Sequence, residues 1–271
     1  MKVYSVYFSA TGTTKKVVSR MGNRISEGLG KNIVYKEIDI TNPRSRENKL
    51  IFDSEDIVVF GVPTYAGRVP NLLLPFLKTI KGNGALCIPV VLFGNRNYDD
   101  SLIELSEIMR TNLFRITAAG AFVGEHSFSI ELGKGRPDNE DFKSIDKFAM
   151  MICQKILSGS VLLNGAIKGE IPYRDYFSPR DRFGNKINFI KIKPKTTLEL
   201  CDDCKICYEA CPLGSIEYDD VSNVSGKCMK CCACVKKCPK GSKFFDDEGY
   251  LFHKDELEYM YHERKEIEVF L

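Results

Sequence analysis

Nine of the chain's eleven cysteines fall in two short stretches that repeat each other, and no other feature restricts the fold as tightly. Residues 201–212 read CDDCKICYEACP and residues 228–239 read CMKCCACVKKCP. Laid over each other, Cys201 falls on Cys228, Cys204 on Cys231, Cys207 on Cys234 and Cys211 on Cys238. Pro212, Gly214 and Ser215 fall on Pro239, Gly241 and Ser242, while Cys232 falls on Lys205 and is the spare. Each half therefore reads C-x2-C-x2-C-x3-C-P.

Two other uses of thiols compete for this pattern. Cys204-x2-Cys207 followed by Cys228-x2-Cys231 passes a zinc-ribbon template, but that use leaves Cys201, Cys211, Cys234 and Cys238 without work. A disulfide framework needs an oxidising compartment, and the apolar run in MKVYSVYF is too short for a signal peptide. The spacing resembles that of bacterial two-cluster ferredoxins, in which three close thiolates grip one cluster and the fourth crosses to the other. The resemblance covers residues 196–246. It implies one [4Fe-4S] cluster on Cys201, Cys204, Cys207 and Cys238, and a second on Cys228, Cys231, Cys234 and Cys211. Cys87 and Cys153 sit among apolar neighbours and are expected to be buried structural thiols.

Residues 1–158 alternate apolar runs with helical periods, which predicts a parallel sheet covered by helices. Strand-like runs cover 2–8, 33–39, 56–62, 88–94 and 118–124. Apolar stripes at Val17, Met21, Ile25 and Leu29, at Leu102, Leu105 and Met109, and at Phe142, Ile145, Ala149, Ile152 and Ile156 mark helices facing a core. The expected fold class is α/β, a doubly wound five-stranded parallel sheet, with a second small α+β domain. Such sheets bind ligands beyond the carboxyl ends of their strands.

The first of those ends carries SATGTT, residues 9–14, opening into the first helix. It resembles the phosphate loop of flavodoxins. Hydroxyls of Ser9, Thr11, Thr13 and Thr14, with backbone N–H groups around Ala10 and Gly12 and a helix N-terminus, suit a phosphate dianion. The third and fourth strands end in VPTYAGRVP (62–70) and FGNRNYDDS (93–101). By the same resemblance Pro63, Thr64, Tyr65, Ala66, Gly67, Gly94, Asn95, Asn97 and Tyr98 clasp the ring of FMN. Tyr65 and Tyr98 are the candidates for its two faces, and Gly67 for a peptide that turns towards the ring on reduction. Arg68 and Arg96 depart from the more acidic loops of free-standing flavodoxins.

Net charge is +3, but it is unevenly spread. The connector, 159–195, carries 8 Lys or Arg against 3 Asp or Glu, and residues 247–271 carry 3 against 8. The connector's prolines and its Tyr173, Tyr176, Phe177, Phe183 and Phe189 predict an irregular segment that packs on the domains. The acidic tail is expected to be a docked helix. GNKINFIKIKPK (184–195) is the one stretch with the character of a nucleic-acid surface, and a solvated strip explains it, so no nucleic-acid partner is expected. No apolar stretch reaches the roughly 18 residues of a membrane span. Eleven cysteines without a signal peptide suggest a reducing cytoplasm. His126, His253 and His262 form no cluster with other ligands and are expected to be structural.

A chain with both groups is similar to flavodoxin-ferredoxin fusion proteins of anaerobes. That resemblance implies an electron-transfer protein with FMN and two [4Fe-4S] clusters, working with redox partner proteins as a monomer or homodimer. Two alternatives stand beside it. One is an FMN-dependent reductase of a quinone or nitro compound, with no acid or base apparent beyond Asp99 and Asp100. The other is a sensory or structural module with a vestigial flavin site.

Overall fold

The computed structural model describes residues 1–271. The strands are β1 (Lys2–Tyr7), β2 (Val34–Asp39), β3 (Ile57–Pro63), β4 (Leu86–Phe93), β5 (Arg115–Ile116) and β6 (Ala119–Val123). β4 and β6 are buried at every residue, as strands covered on both faces must be. The order β2-β1-β3-β4-β6 is parallel throughout, so the chain reverses direction across the sheet at β1 and β3. This is the flavodoxin-like doubly wound order, and it opens a crevice at the carboxyl ends of the strands.

The helices of this part are α1 (Thr13–Leu29), α2 (Leu74–Leu77), α3 (Ser101–Thr111) and α4 (Asn139–Leu157). Their expected stripes meet the sheet. Val17, Met21 and Ile25 of α1 join Ile145, Ala149 and Ile152 of α4 on one face. Leu102, Leu105 and Met109 of α3 join Val6, Phe8 and Phe60 on the other. Asp138 and Asp141 form a reciprocal capping box that starts α4. Cys87 and Cys153 are buried, and burial pushes both thiols up.

The sheet has seven strands rather than five. β5 is a two-residue parallel addition to β4. The chain then forms β7 (Lys195–Thr196), α5 (Ile206–Ala210), α6 (Ala233–Lys236), β8 (Lys243–Phe244), α7 (Glu248–Met260) and β9 (Glu268–Phe270). β7 and β8 pair as an antiparallel ribbon around the cysteine segment. The tail contributes its helix, α7, but continues into β9, which pairs antiparallel with β6 and covers that sheet edge. Asn95 ties this return in place, donating to the Tyr261 and Glu263 carbonyls and accepting from the Lys265 N–H. No helix is long and apolar enough to cross a membrane.

Residues 159–194 contain no helix and no paired strand beyond one bridge, Arg180 to Lys186. They are nevertheless fastened to the sheet loops. Asp100 is wholly buried, pairs with the Arg174 guanidinium, and accepts the backbone N–H groups of Glu170 and Arg174 at 3.0 and 2.8 Å. The Arg174 hydrogen bond, reinforced by those N–H groups and opposed by burial, holds the Asp100 carboxyl down at about 2. A carboxyl depressed on folding adds stability that is present above its unfolded value near 4 and is lost as pH falls towards 2. Asp100→Asn should therefore cost about 1–2 kcal/mol at neutral pH and nothing near pH 2. Chemical denaturation of both proteins across that range checks this, and an equal cost at every pH would refute it.

Candidate functional site

A cavity of about 730 Å³ opens beyond the carboxyl ends of β1, β3, β4 and β6. That is within the roughly 300–1,000 Å³ usual for small-molecule and cofactor sites. Ala10, Thr11, Thr13, Thr14, Pro63, Thr64, Tyr65, Ala66 and Gly94 all line it. The phosphate-loop candidates sit where α1 begins, at Gly12 with φ +96°, and the Ser9 hydroxyl takes only the third N–H of this 17-residue helix, that of Lys15. The N–H groups of Thr13 and Thr14 and the Thr11 and Thr13 hydroxyls are therefore available to an anion. Ser9 is set back from the cavity: its hydroxyl accepts the Lys15 N–H at 2.9 Å and its own N–H goes to Thr41.

The β3 loop turns tightly, with Tyr65 and Arg68 exchanging both backbone hydrogen bonds and Ala66 and Gly67 at φ +51° and +78°. Gly67 does not line the cavity, and a side chain there would overlap the Asp99 carboxylate. Both carbonyls of this turn are already engaged: Ala66 accepts from Phe177 N–H at 2.9 Å and Gly67 from Asp100 N–H at 3.0 Å. The connector thus clasps the loop.

Tyr98 departs most from expectation. Its ring is 2% exposed, packs against Phe93 and belongs to the sheet core, and its hydroxyl donates to Glu268 of β9 at 2.7 Å. It anchors the returning tail and does not flank the cavity. Asn95 holds the tail backbone, and Asn97 closes a local turn by accepting the Asp99 N–H. Neither lines the cavity.

In their place the cavity takes walls from the β6–α4 loop, the connector, the cysteine segment and α7. His126, Phe128, Phe177, Phe189 and His253 line it and pack against one another, with Phe128 and Phe189 stacked at 6.1 Å and Phe177 and His253 at 5.8 Å. Burial, with the Lys236 ammonium next, pushes His126 down to about 3, so its ring is neutral at ordinary pH. Two of the three histidines expected to be structural thus form cavity wall.

The cysteine segment folds as a structural repeat. Left-handed residues recur at matching positions: Asp203 and Lys230 at φ +54° and +55°, Lys205 and Cys232 at +61° and +56°, Gly214 and Gly241 at +60° and +61°. Ser215 N–H and Ser242 N–H approach Cys211 and Cys238 sulfur, each at 3.3 Å. Cys211, Cys228, Cys231, Cys232 and Cys234 wall one pocket, while Cys201, Cys207, Cys211 and Cys234 share an apolar cluster with Ile216 and Val224. Cys204 is exposed. No three of these thiols converge as ligands of a single metal ion. Cys232 Sγ lies 3.4 Å from the Tyr250 hydroxyl, in a separate cluster with Ile192 and Phe245.

The segment rests on the sheet domain. Arg46 donates to the Pro212 carbonyl at 2.6 Å, Lys236 donates to the His126 carbonyl at 2.7 Å, and Cys231 and Ala233 belong to the sheet core. Lys227, Cys228, Met229 and Lys230 therefore reach the cavity, and Cys228 lines both it and the cysteine-walled pocket.

No family model and no curated protein matches the chain. Solved structures similar to it include a flavodoxin from the domain Archaea, at 16% identity and TM-score 0.40, covering 58% of this chain and 99% of that one. A Streptococcus pneumonia flavodoxin aligns at 18% identity and TM-score 0.39, over 57% of this chain and 99% of that one. An NADH:FMN oxidoreductase aligns at 12% identity and TM-score 0.43, over 57% and 89%. The flavodoxin-like character of residues 1–158 rests on the strand order rather than on these likenesses.

Proposed function

We propose that the chain is an electron-transfer protein that holds FMN in the crevice of its sheet and two [4Fe-4S] clusters in its cysteine repeat. One observation carries the reading. A single cavity is lined at one end by the hydroxyl-rich start of α1 and at another by Cys228, a residue of the repeat. Bound flavin exchanges one or two electrons and a cluster exchanges one, so the pair can join two-electron and one-electron partners.

The residues present suit both groups. Thr11, Thr13 and the open N-terminus of α1 would hold the phosphate, and Tyr65 and Phe128 would border the ring. Cys211, Cys228, Cys231 and Cys234 line one pocket together with the spare Cys232, which supports their serving as the four thiolates that a [4Fe-4S] cluster requires. Ser215 and Ser242 N–H groups would donate to ligating sulfur, a contact that raises cluster potentials. The reductase alternative finds no acid at the β4 loop, because Asp99 pairs with Arg96 and Asp100 with Arg174.

Flavin titration of protein purified without oxygen tests the site. FMN should bind far more tightly than riboflavin, since only FMN carries the dianion. Thr11→Val keeps the shape and removes a hydroxyl, and should weaken FMN by about 1–3 kcal/mol. Equal affinity for FMN and riboflavin would sink the phosphate assignment.

A further inference from the structure

Lys230 is 7% exposed, and its ammonium has one partner, the Cys228 carbonyl at 2.8 Å. No carboxylate lies within ion-pair distance of it. A buried cation satisfied by one carbonyl is costly, and such groups persist when something pairs with them. Lys230 lines the large cavity but not the cysteine-walled pocket, so its charge stands on the flavin side of the repeat. The other charges of the cavity wall do not cancel it. Arg96 is neutralised by Asp99, Glu125 lies 3.8 Å from Lys236, His126 is neutral, and Lys227 adds a further positive charge. Among the side chains that line the cavity, Lys227 and Lys230 are the cations without a carboxylate partner.

We propose that Lys230 is an anion-binding residue of this cavity, pairing with an anionic group of the bound cofactor. This rests on the flavin reading and adds to it a role for the cysteine repeat in holding the flavin. The hydroxyl loop that greets the phosphate belongs to β1 and α1, whereas Lys230 belongs to the repeat. A ligand that engages both ties one part of the chain to the other. Two anionic groups of FMN have this chemistry: the phosphate, and the pyrimidine edge of the ring, which gains negative charge on reduction.

The test uses the full chain with its clusters intact, measuring FMN and riboflavin affinity before and after chemical reduction, and thermal unfolding without flavin. Lys230→Met should weaken FMN at least tenfold, with the iron content unchanged and thermal unfolding showing that the flavin-free chain is still folded. Lys230→Gln is the second variant and should weaken FMN similarly. A loss confined to FMN, with riboflavin unchanged, assigns the phosphate; a loss for both flavins that is larger after reduction assigns the ring. FMN affinity within twofold of wild type in both oxidation states, or a loss that only follows loss of iron, overturns the proposal. Wild-type protein that binds neither flavin would instead overturn the flavin reading itself.

Discussion

Cys231→Ala is expected to halve the iron of the anaerobically reconstituted protein, from about eight to about four per chain, while Cys232→Ala leaves it unchanged. The two residues are adjacent and both buried, so burial alone does not separate them. The repeat and their partners do. Both residues line the pocket with Cys211, Cys228 and Cys234, but the 27-residue repeat carries Cys204 onto Cys231 and a lysine, Lys205, onto Cys232. Cys232 stands at a left-handed position, φ +56°, and its sulfur turns to the Tyr250 hydroxyl, beside Ile192 and Phe245. Removing that thiol leaves a small void and frees one hydroxyl, a cost of about 1–2 kcal/mol with no iron lost. Removing Cys231 leaves an iron without its ligand. Iron, sulfide and zinc analysis of the two variants checks this directly. Iron loss in Cys232→Ala, or one tightly held zinc in the wild type, would overturn the ligand assignment.

The parts legible in the sequence were those with a fixed period. Ligand spacing recurs without regard to the rest of the chain, so the pairing of Cys204 with Cys231 reappears as matched backbone angles at Lys205 and Cys232. Strand and helix stripes were equally local, and Val17, Met21 and Ile25 face the sheet as their spacing requires. Loops were legible as positions but not as orientations. Tyr65 and Tyr98 are both loop tyrosines after parallel strands, yet one lines the cavity and the other is drawn into the core by Glu268, 170 residues further on. The same distance hid β9, whose three residues are too short to show a period and become a strand because β6 offers an edge. The cavity walls at His126 and Phe128 follow a rule that was available, that ligands bind beyond every strand's carboxyl end, β6 included. Lys230 had no such signal, because its burial arises only when the repeat docks on the sheet.

Electron transfer between cluster and flavin is expected to be first order within one chain, at a rate unchanged by dilution. Transfer falls steeply with distance, so what matters is which cysteines approach the cavity. Cys228 lines both the cavity and the cysteine-walled pocket, and Cys231 packs in one cluster with Phe8 and Val62 of the sheet domain. The set containing Cys228 and Cys231 would therefore stand beside the flavin, and the set containing the exposed Cys204 would face outside partners. The docking that brings them together is made of contacts within the chain: Arg46 to Pro212, Lys236 to His126, and the connector's Phe177 N–H on the Ala66 carbonyl. None of these requires a second copy. Rapid partial reduction followed by flavin absorbance measures the rate over a range of protein concentrations. A rate rising in proportion to concentration would show transfer between separate molecules. Mixing Cys231→Ala protein with a flavin-free variant separates the remaining case, since recovery of transfer in the mixture would reveal an exchanged dimer and its absence a self-contained chain.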